Sequence, residues 1–600
     1  MKLLLLFVSF NALVALSLGS DITNAVFGKD LDGMPAAFGD FNSDELTDVF
    51  VLSKDGRTVK IMLASVEEPL LQSRKDLSCD FEDKVSSVVP GDFDGDVFMD
   101  VMVTTVSSAE ATRGATNVHI LWGDNNKLNC NGSLAKNAII QMQGQPLAMD
   151  YNQDMIIDLF GTDVNGTRAF WVFNSTKTKP SQVFMKKPKE LETWLPIRAP
   201  HANAFLDLNS DFYSDLVVTT EKFLEIWHGG ENGFTFYKTL PTTFKQYPNA
   251  IVGQSLHSDV ELMGKMDLVL PVCTDSSCTK SVIMVHSDSS SDWIELQVEF
   301  ADGTGVGGTW GFALQGGQRY TDTITMRGGD FNMDGYPDLL ATLKNSITQQ
   351  TRSFLLENVH CKSNCGKFNR TFEVRWNALS PFFNESVMAV FYDFYQDGIL
   401  DVILVLKSDK IYKTAAFKNS LDYDANFVKV MVLTGRTNSQ YPISPGSLGK
   451  KKRTYGTNLP GPSIAYKTTT QDGSPRSAIA AQLPQSAHFS LNLPFTTFGL
   501  GRTPNFIDSL TIGLSNRSRE WPQIIPNSQM VVIPNPPEDP SRWKAQLFVT
   551  PSKLILLSAA ALTGTCGLIT AIIAALYWKE RREDKIEKLQ EAHRFHFDAM

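Results

Sequence analysis

An excess of basic residues is missing from this sequence. Its 55 lysines and arginines are outnumbered by 65 aspartates and glutamates, for a formal net charge of −10. That balance excludes nucleic acid as the main partner, because phosphate backbones are held by clustered positive charge. Histidine is scarce, nine in 600 residues, and none sits in a catalytic motif. No Ser/His/Asp or Cys/His constellation stands out, so the chain reads as a non-enzyme. The glycine-rich stretch Gly303 to Gly317 lacks the lysine of a phosphate-binding loop and has no dinucleotide-fold setting. In the tail, His593 and His596 have no cysteine or histidine partners at metal spacing.

Long apolar runs are also few, and the two that matter lie near the ends. The first, Leu3 to Leu18, follows Lys2 and precedes the small residues Gly19 and Ser20. It has the pattern of a secretory signal peptide, residues 1–20. The second, Leu554 to Trp578, contains no charge. At about 1.5 Å per residue it exceeds the roughly 30 Å hydrocarbon core. Tyr577 and Trp578 suit the interface, and Lys579, Arg581, Arg582 and Lys585 follow. Positive charge there places the tail, residues 579–600, in the cytosol. The expected protein is type I and single-pass, with its N-terminus outside the plasma membrane. The tail is expected to be a polar helix, or disordered until bound.

Cysteine is sparse too, seven in all. Cys566 falls in the apolar run, which leaves an even six: Cys79, Cys130, Cys273, Cys278, Cys361 and Cys365. Even numbers outside the cell suggest disulfides. Local pairs Cys273–Cys278 and Cys361–Cys365 would leave Cys79–Cys130, although spacing alone does not decide connectivity. Glycosylation acceptors of the N-x-S/T type occur at Asn131, Asn165, Asn174, Asn369, Asn384 and Asn516.

What the sequence has in quantity is one short acidic loop, repeated. Its best copy is Asp330-Phe331-Asn332-Met333-Asp334-Gly335-Tyr336-Pro337-Asp338. Oxygen-bearing side chains fall at positions 1, 3, 5 and 9. Counterparts begin at Asp40, Asp92, Asp150, Asp207, Asp259 and Asp393, so successive copies lie 52, 58, 57, 52, 71 and 63 residues apart. Each period also holds short apolar runs bounded by turn residues, such as Val49-Phe50-Val51-Leu52 and Val402-Ile403-Leu404-Val405. A period near this length with about four strands matches one propeller blade. The fold expected for residues 21–422 is a seven-bladed β-propeller.

Calcium takes six to eight oxygen ligands from carboxylates, amides and carbonyls. In such a loop positions 1, 3 and 5 give side-chain oxygens, position 7 a carbonyl and position 9 a carboxylate. The expected ligands are Asp40, Asn42, Asp44, Leu46 and Asp48 in the first loop, and Asp92, Asp94, Asp96, Phe98 and Asp100 in the second. Asp150, Asn152, Asp154, Ile156 and Asp158 form the third set, and Asp207, Asn209, Asp211, Tyr213 and Asp215 the fourth. The sixth set is Asp330, Asn332, Asp334, Tyr336 and Asp338. In the fifth loop Met263 offers a thioether at position 5, so it is expected to be empty. The seventh, with Asp393, Asp397 and Asp401, has Tyr395 at position 3 and is expected to be weak. Position 6 favours glycine, where a positive φ is easy. Gly335 and Gly398 satisfy this, whereas Glu45, Val97, Met155 and Phe212 do not. Val97 is β-branched and should resist that backbone, so the second loop is expected to bind less well than the sixth. Calcium in such loops rigidifies a hairpin. The other reading is a calcium-regulated ligand contact.

These D-x-N/D-x-D-x-x-x-D loops between strands resemble FG-GAP repeats, the blades of integrin α-subunit heads. The whole layout is similar to the T-cell immunomodulatory protein family, also called linkin. The resemblance implies a role in cell adhesion and tissue integrity, exerted through the propeller's loop face. It also implies cytosolic partners for the tail, with RuvB-like ATPases and tubulin as candidates, and a released ectodomain acting on T cells. Two rivals are an enzyme accessory, for which no leftover catalytic segment exists, and a trafficking or maturation factor in the secretory pathway. The tail lacks a KDEL-type signal, which disfavours lumenal retention.

After residue 422 the loops stop. Residues 423–540 are expected to form a small β-sandwich, with alternation over Phe427 to Leu433. Phe498-Gly499-Leu500-Gly501 resembles a β module found beside such repeats. Residues 541–553 are expected to be a juxtamembrane linker, preceded by the stiff Asn535 to Pro540, and residues 554–578 the span. Asp275 to Thr279 superficially matches a metal site of adhesion domains, but reads better as a disulfide-closed turn. Lys450 to Arg453 reads as a solvated loop open to proteolytic nicking.

Overall fold

The structure is a computed structural model. It describes residues 19–597 apart from short stretches, the longest being 107–114, 131–136, 315–322 and 438–454. The expected signal peptide through residue 18, and the basic run Lys450 to Arg453, lie outside the described residues. Two compact units are present, 1–548 and 549–600.

In the larger unit, the repeated loop joins the first two strands of seven successive antiparallel units, here called blades. The first strands end at Gly39, Gly91, Met149, Leu206, Ser258, Gly329 and Tyr392. Every second strand then begins on the position-9 aspartate, at Asp48, Asp100, Asp158, Asp215, Asp267, Asp338 and Asp401. These second strands are buried almost throughout, as in Asp48–Leu52 and Asp267–Cys273. Burial on both faces explains why they read as continuous apolar runs without alternation. The long strand Ile140–Met149 is shared. Ile140 to Gln143 pair with Ala115–Leu121 of the second blade, and Met142 to Met149 with Asp158–Asp163 of the third.

The last blade borrows its fourth strand from the start of the chain. Gly19–Asp21 pairs with Ile411–Asn419, Gly19 opposite Asn419. The expected signal-peptide boundary at residue 20 falls inside this strand. Side chains also tie blade to blade. Gln145 donates to the Ser86 carbonyl at 2.7 Å, His201 Nε2 meets the Gln145 carbonyl at 2.8 Å, and Gln254 donates to the His201 carbonyl at 2.8 Å. The Tyr392 hydroxyl of the seventh blade donates to the Thr47 carbonyl of the first. Contact between last and first blade is what a seven-bladed propeller requires. The disulfides Cys79–Cys130 and Cys273–Cys278 form as expected. Cys361 is disulfide-bonded, and Cys365 lies outside the described residues.

Two four-stranded sheets follow. One runs in the order Thr496–Gly501, Asn426–Val432, Ser528–Ile533, Lys544–Val549, and the other Pro475–Ala481, Ser463–Thr469, Ile507–Leu514, Arg517–Ile524. Val430, Val432, Tyr466, Leu510, Ile512 and Val532 fill the space between them. This is a β-sandwich, and it runs past the expected boundary at 540. The strand from Lys544 forms a sheet edge, and Trp543 is 1% exposed with its Nε1 donating to the Pro536 carbonyl at 3.1 Å. Most of the expected linker is therefore structured. An edge strand exposed on both faces carries no alternating pattern, so its residues look like a linker.

In the smaller unit Lys553–Phe597 is one helix. Its 45 residues reach about 68 Å, longer than a span needs, so the polar tail continues the helix. Lys579 and Glu583 pair at 3.9 Å along its surface.

Replacing Trp543 by alanine tests the revised boundary. The loss of a buried indole should cost the sandwich about 3–5 kcal/mol, read by denaturant unfolding of the full chain. A variant as stable as the wild type would restore 541–553 as a free linker.

Candidate metal centre

Each acidic loop is shaped by its own carboxylates. The position-1 aspartate accepts the N–H of position 6 in all seven, from Glu45 at 2.9 Å, Val97 at 3.0 Å, Met155 at 3.0 Å and Phe212 at 3.0 Å to Gly264 at 2.8 Å, Gly335 at 2.7 Å and Gly398 at 3.1 Å. The position-9 aspartate accepts the N–H of position 2, again in all seven, at distances from 2.7 Å for Phe41 to 3.3 Å for Phe394. Its other oxygen reaches across the blade. Asp48 takes the Ala64 N–H, Asp100 that of Gly123, Asp158 that of Phe173 and Asp338 that of Asn358, at 2.7–2.8 Å. Position 5 accepts the N–H of position 7, so Leu46, Phe98, Ile156, Tyr213 and Tyr336 are held at 2.8–3.0 Å. In the first four loops and the sixth, the carboxylates at positions 1, 5 and 9 thus each hold a backbone N–H of their own loop.

Position 6 corrects the expectation about glycine. Glu45, Val97, Met155 and Phe212 all adopt φ between +66° and +75°. Val97 accepts φ +75° while 2% exposed. A non-glycine residue there costs about 1–3 kcal/mol. The Val97 N–H donates to Asp92 at 3.0 Å, and a hydrogen bond of about 0.5–1.5 kcal/mol offsets part of that cost.

The second loop, expected to be poorer than the sixth, has the densest charge. Carboxylate oxygens of Asp92, Asp94 and Asp100 lie within 4.8 Å of one another, and no other such acidic group occurs among the described residues. All three are buried. The difference lies at position 3. Loops one, three, four and six carry asparagine there, and its amide donates to the position-5 carboxylate. Aspartate in the second loop has no such donor. Lys177 sits 3.0 Å from Asp94 and 3.3 Å from Asp96. Burial, then the neighbouring carboxylates, pushes Asp92 up to about 8, and Asp96 up to about 6. Burial does the same at Asp150 and Asp330, both about 7, and Asp158, about 8. Crowded buried carboxylates of this kind fit a hard divalent cation, which would neutralise them in place of protons.

The other loops diverge. At the fifth, Met263 is 71% exposed, and Glu261 accepts the Asn369 N–H at 2.6 Å. At the seventh, Asp393 pairs with Lys429 Nζ at 3.3 Å, both nearly fully buried. Tyr395 lies beneath Lys418 at 4.0 Å.

Lys429 belongs to the sandwich, and it is not the only sandwich group on these loops. Arg436 donates to the Gly95 carbonyl at 3.1 Å and the Asp154 carbonyl at 2.9 Å. The Asn516 N–H reaches the Phe212 carbonyl at 3.1 Å, and the Ile479 N–H reaches Asp259 at 3.3 Å. The Gly499 N–H reaches Asp330 at 3.0 Å, where a Cβ on residue 499 would lie 2.0 Å from the same carboxylate oxygen. Only glycine permits that approach. Loops two to seven therefore touch the sandwich, which corrects the expectation that the loop face is open to an outside partner. Three of these contacts come from backbone N–H groups, of Asn516, Ile479 and Gly499, which leave no residue signature in the sequence.

Among the other expected sites, Asn165, Asn174, Asn369 and Asn516 are exposed, and Asn131 and Asn384 lie outside the described residues. Asp275 accepts the N–H groups of Ser277 and Thr279 inside the turn closed by Cys273–Cys278, as a structural turn would.

Comparison with known proteins agrees with this layout. A family profile described as "ITFG1, C2 domain" matches residues 454–548, ending within the edge strand that begins at Lys544. T-cell immunomodulatory protein of Mus musculus is 38% identical over 97% of this chain and 94% of its own length. The Homo sapiens protein of that name matches at the same identity and coverage. The chain belongs to the T-cell immunomodulatory protein family. Protein linkin of Caenorhabditis elegans is 28% identical over 95% of the chain and 96% of its own length. In this T-cell immunomodulatory protein family member, the apolar helix fits a single-pass membrane protein.

The raised carboxylates set a pH dependence. Their folded values lie above the ordinary 3.8, so the metal-free folded state binds more protons than the unfolded chain between these limits. Stability without metal should then fall as pH rises from about 5 to 8. Thermal melting of the full chain in chelator should show that decline, and calcium should flatten it. Superimposable profiles with and without calcium would contradict metal binding.

Proposed function

We propose that the chain is a type I glycoprotein of the plasma membrane, acting in cell adhesion and tissue integrity through protein binding by its ectodomain. The observation that carries this reading is membership of a family that includes linkin, in a chain ending with one apolar helix and a basic flank. Calcium in the loops serves a structural role, stiffening the blades. The external protein ligand then meets a surface other than the loops already covered by the sandwich.

The exposed acceptors at Asn165, Asn174, Asn369 and Asn516 support a glycosylated ectodomain. The names of the mammalian relatives support a released ectodomain acting on T cells as a secondary role. For the cytosolic helix, RuvB-like ATPases and tubulin are the partners to test first. No enzymatic activity is proposed.

Labelling of intact cells with a membrane-impermeant biotin reagent tests this reading. Lysines between residues 21 and 548 should be modified and those after 578 spared. Labelling only after permeabilisation would replace the surface role with one in secretory-pathway trafficking or maturation.

A further inference from the structure

The sandwich and the first strands of the fifth to seventh blades line a cavity of about 190 Å³. A second cavity, of about 60 Å³, shares His257, Arg327, Ser490 and Asn492 with it. Arg327 stands at both and is 7% exposed. Its guanidinium donates to Thr325 Oγ1 at 3.2 Å, the Ala389 carbonyl at 3.5 Å and the Phe489 carbonyl at 3.2 Å. All three acceptors are neutral. Its Nε has no partner, and it makes no ion pair among the described residues.

Two acidic residues, Asp259 and Asp330, also belong to the lining, and Asp330 Oδ1 is buried without a hydrogen-bond partner. Asp330 accepts the N–H groups of Gly335 and Gly499, and Asp259 those of Met263, Gly264 and Ile479. Burial lowers the Arg327 pKa only to about 10, so the group stays charged at neutral pH. A buried cation without a counter-ion is costly, and the planar fork of a guanidinium suits an anion's oxygens. More donors are at hand. His257 Nε2 and Ser255 Oγ are buried and unpartnered. His257 lies on Leu256–Ser258 and Arg327 on Met326–Gly329, the first strands of consecutive blades.

We propose that this cavity binds a small anion of halide or carboxylate type, held by the Arg327 guanidinium with His257 as a second donor. The Phe489 carbonyl on the same guanidinium belongs to the sandwich, whose Phe489 and Leu491 pack in the core of the first and seventh blades. The anion neutralises the arginine that fastens this segment, so occupancy joins the two domains.

The test is thermal melting of the full chain in detergent, with calcium and ionic strength constant, in bromide, acetate or gluconate. Gluconate is the large reference anion. Melting several degrees higher in bromide assigns a halide site, and higher in acetate a carboxylate site. The Arg327→Gln variant should lose the difference. If that variant does not fold, a bromide anomalous map of the wild-type chain replaces it, with a peak expected within hydrogen-bond distance of Arg327. Equal wild-type melting in the three salts, a difference that Arg327→Gln retains, or a map without that peak would each overturn the proposal.

Discussion

Buried aspartate accepting backbone N–H is the interaction on which this structure depends. A carboxylate at position 1 folds the loop by taking the N–H of position 6. A carboxylate at position 9 closes it by taking the N–H of position 2, and then in most blades takes an N–H in the third strand or within two residues of its end. Each second strand thus begins with a fixed anchor. These bonds hold Val97 and Phe212 in a left-handed backbone that their side chains disfavour.

The same carboxylates create a problem of charge. Buried together they repel, and the second loop shows the extreme, with three in one group. The copies meet this differently. Asparagine at position 3 supplies an amide to its neighbour in four loops. Lys429 neutralises Asp393 in the seventh. In the second, Lys177 approaches from the rim, and the donor set suits a divalent cation. Sequence repeats that look alike are therefore not chemically equal. The copy with the best consensus, at Asp330, is partly turned to holding the sandwich through Gly499.

Much of the fold was legible because it rests on local patterns. Seven aspartate loops at a steady period, each followed by a short apolar run, announce the blades, and the charge-free run after Leu554 announces the span. Legibility ended where contacts are distant and carried by the backbone. The N–H of Ile479 lies 220 residues from Asp259, and that of Gly499 lies 169 from Asp330. Neither leaves a side-chain signature. The edge strand at Lys544 was hidden because both its faces meet water, and the left-handed Val97 because the loop's hydrogen bonds together outweigh residue preference.

The aspartate–amide bonds hold the blades together. Hydrogen exchange of the full chain, followed by mass spectrometry with calcium present, tests this most directly. The amides of positions 2 and 6, Phe93 and Val97 among them, should be protected as strongly as those of the buried second strands. Exchange as fast as that of exposed turns would contradict the account.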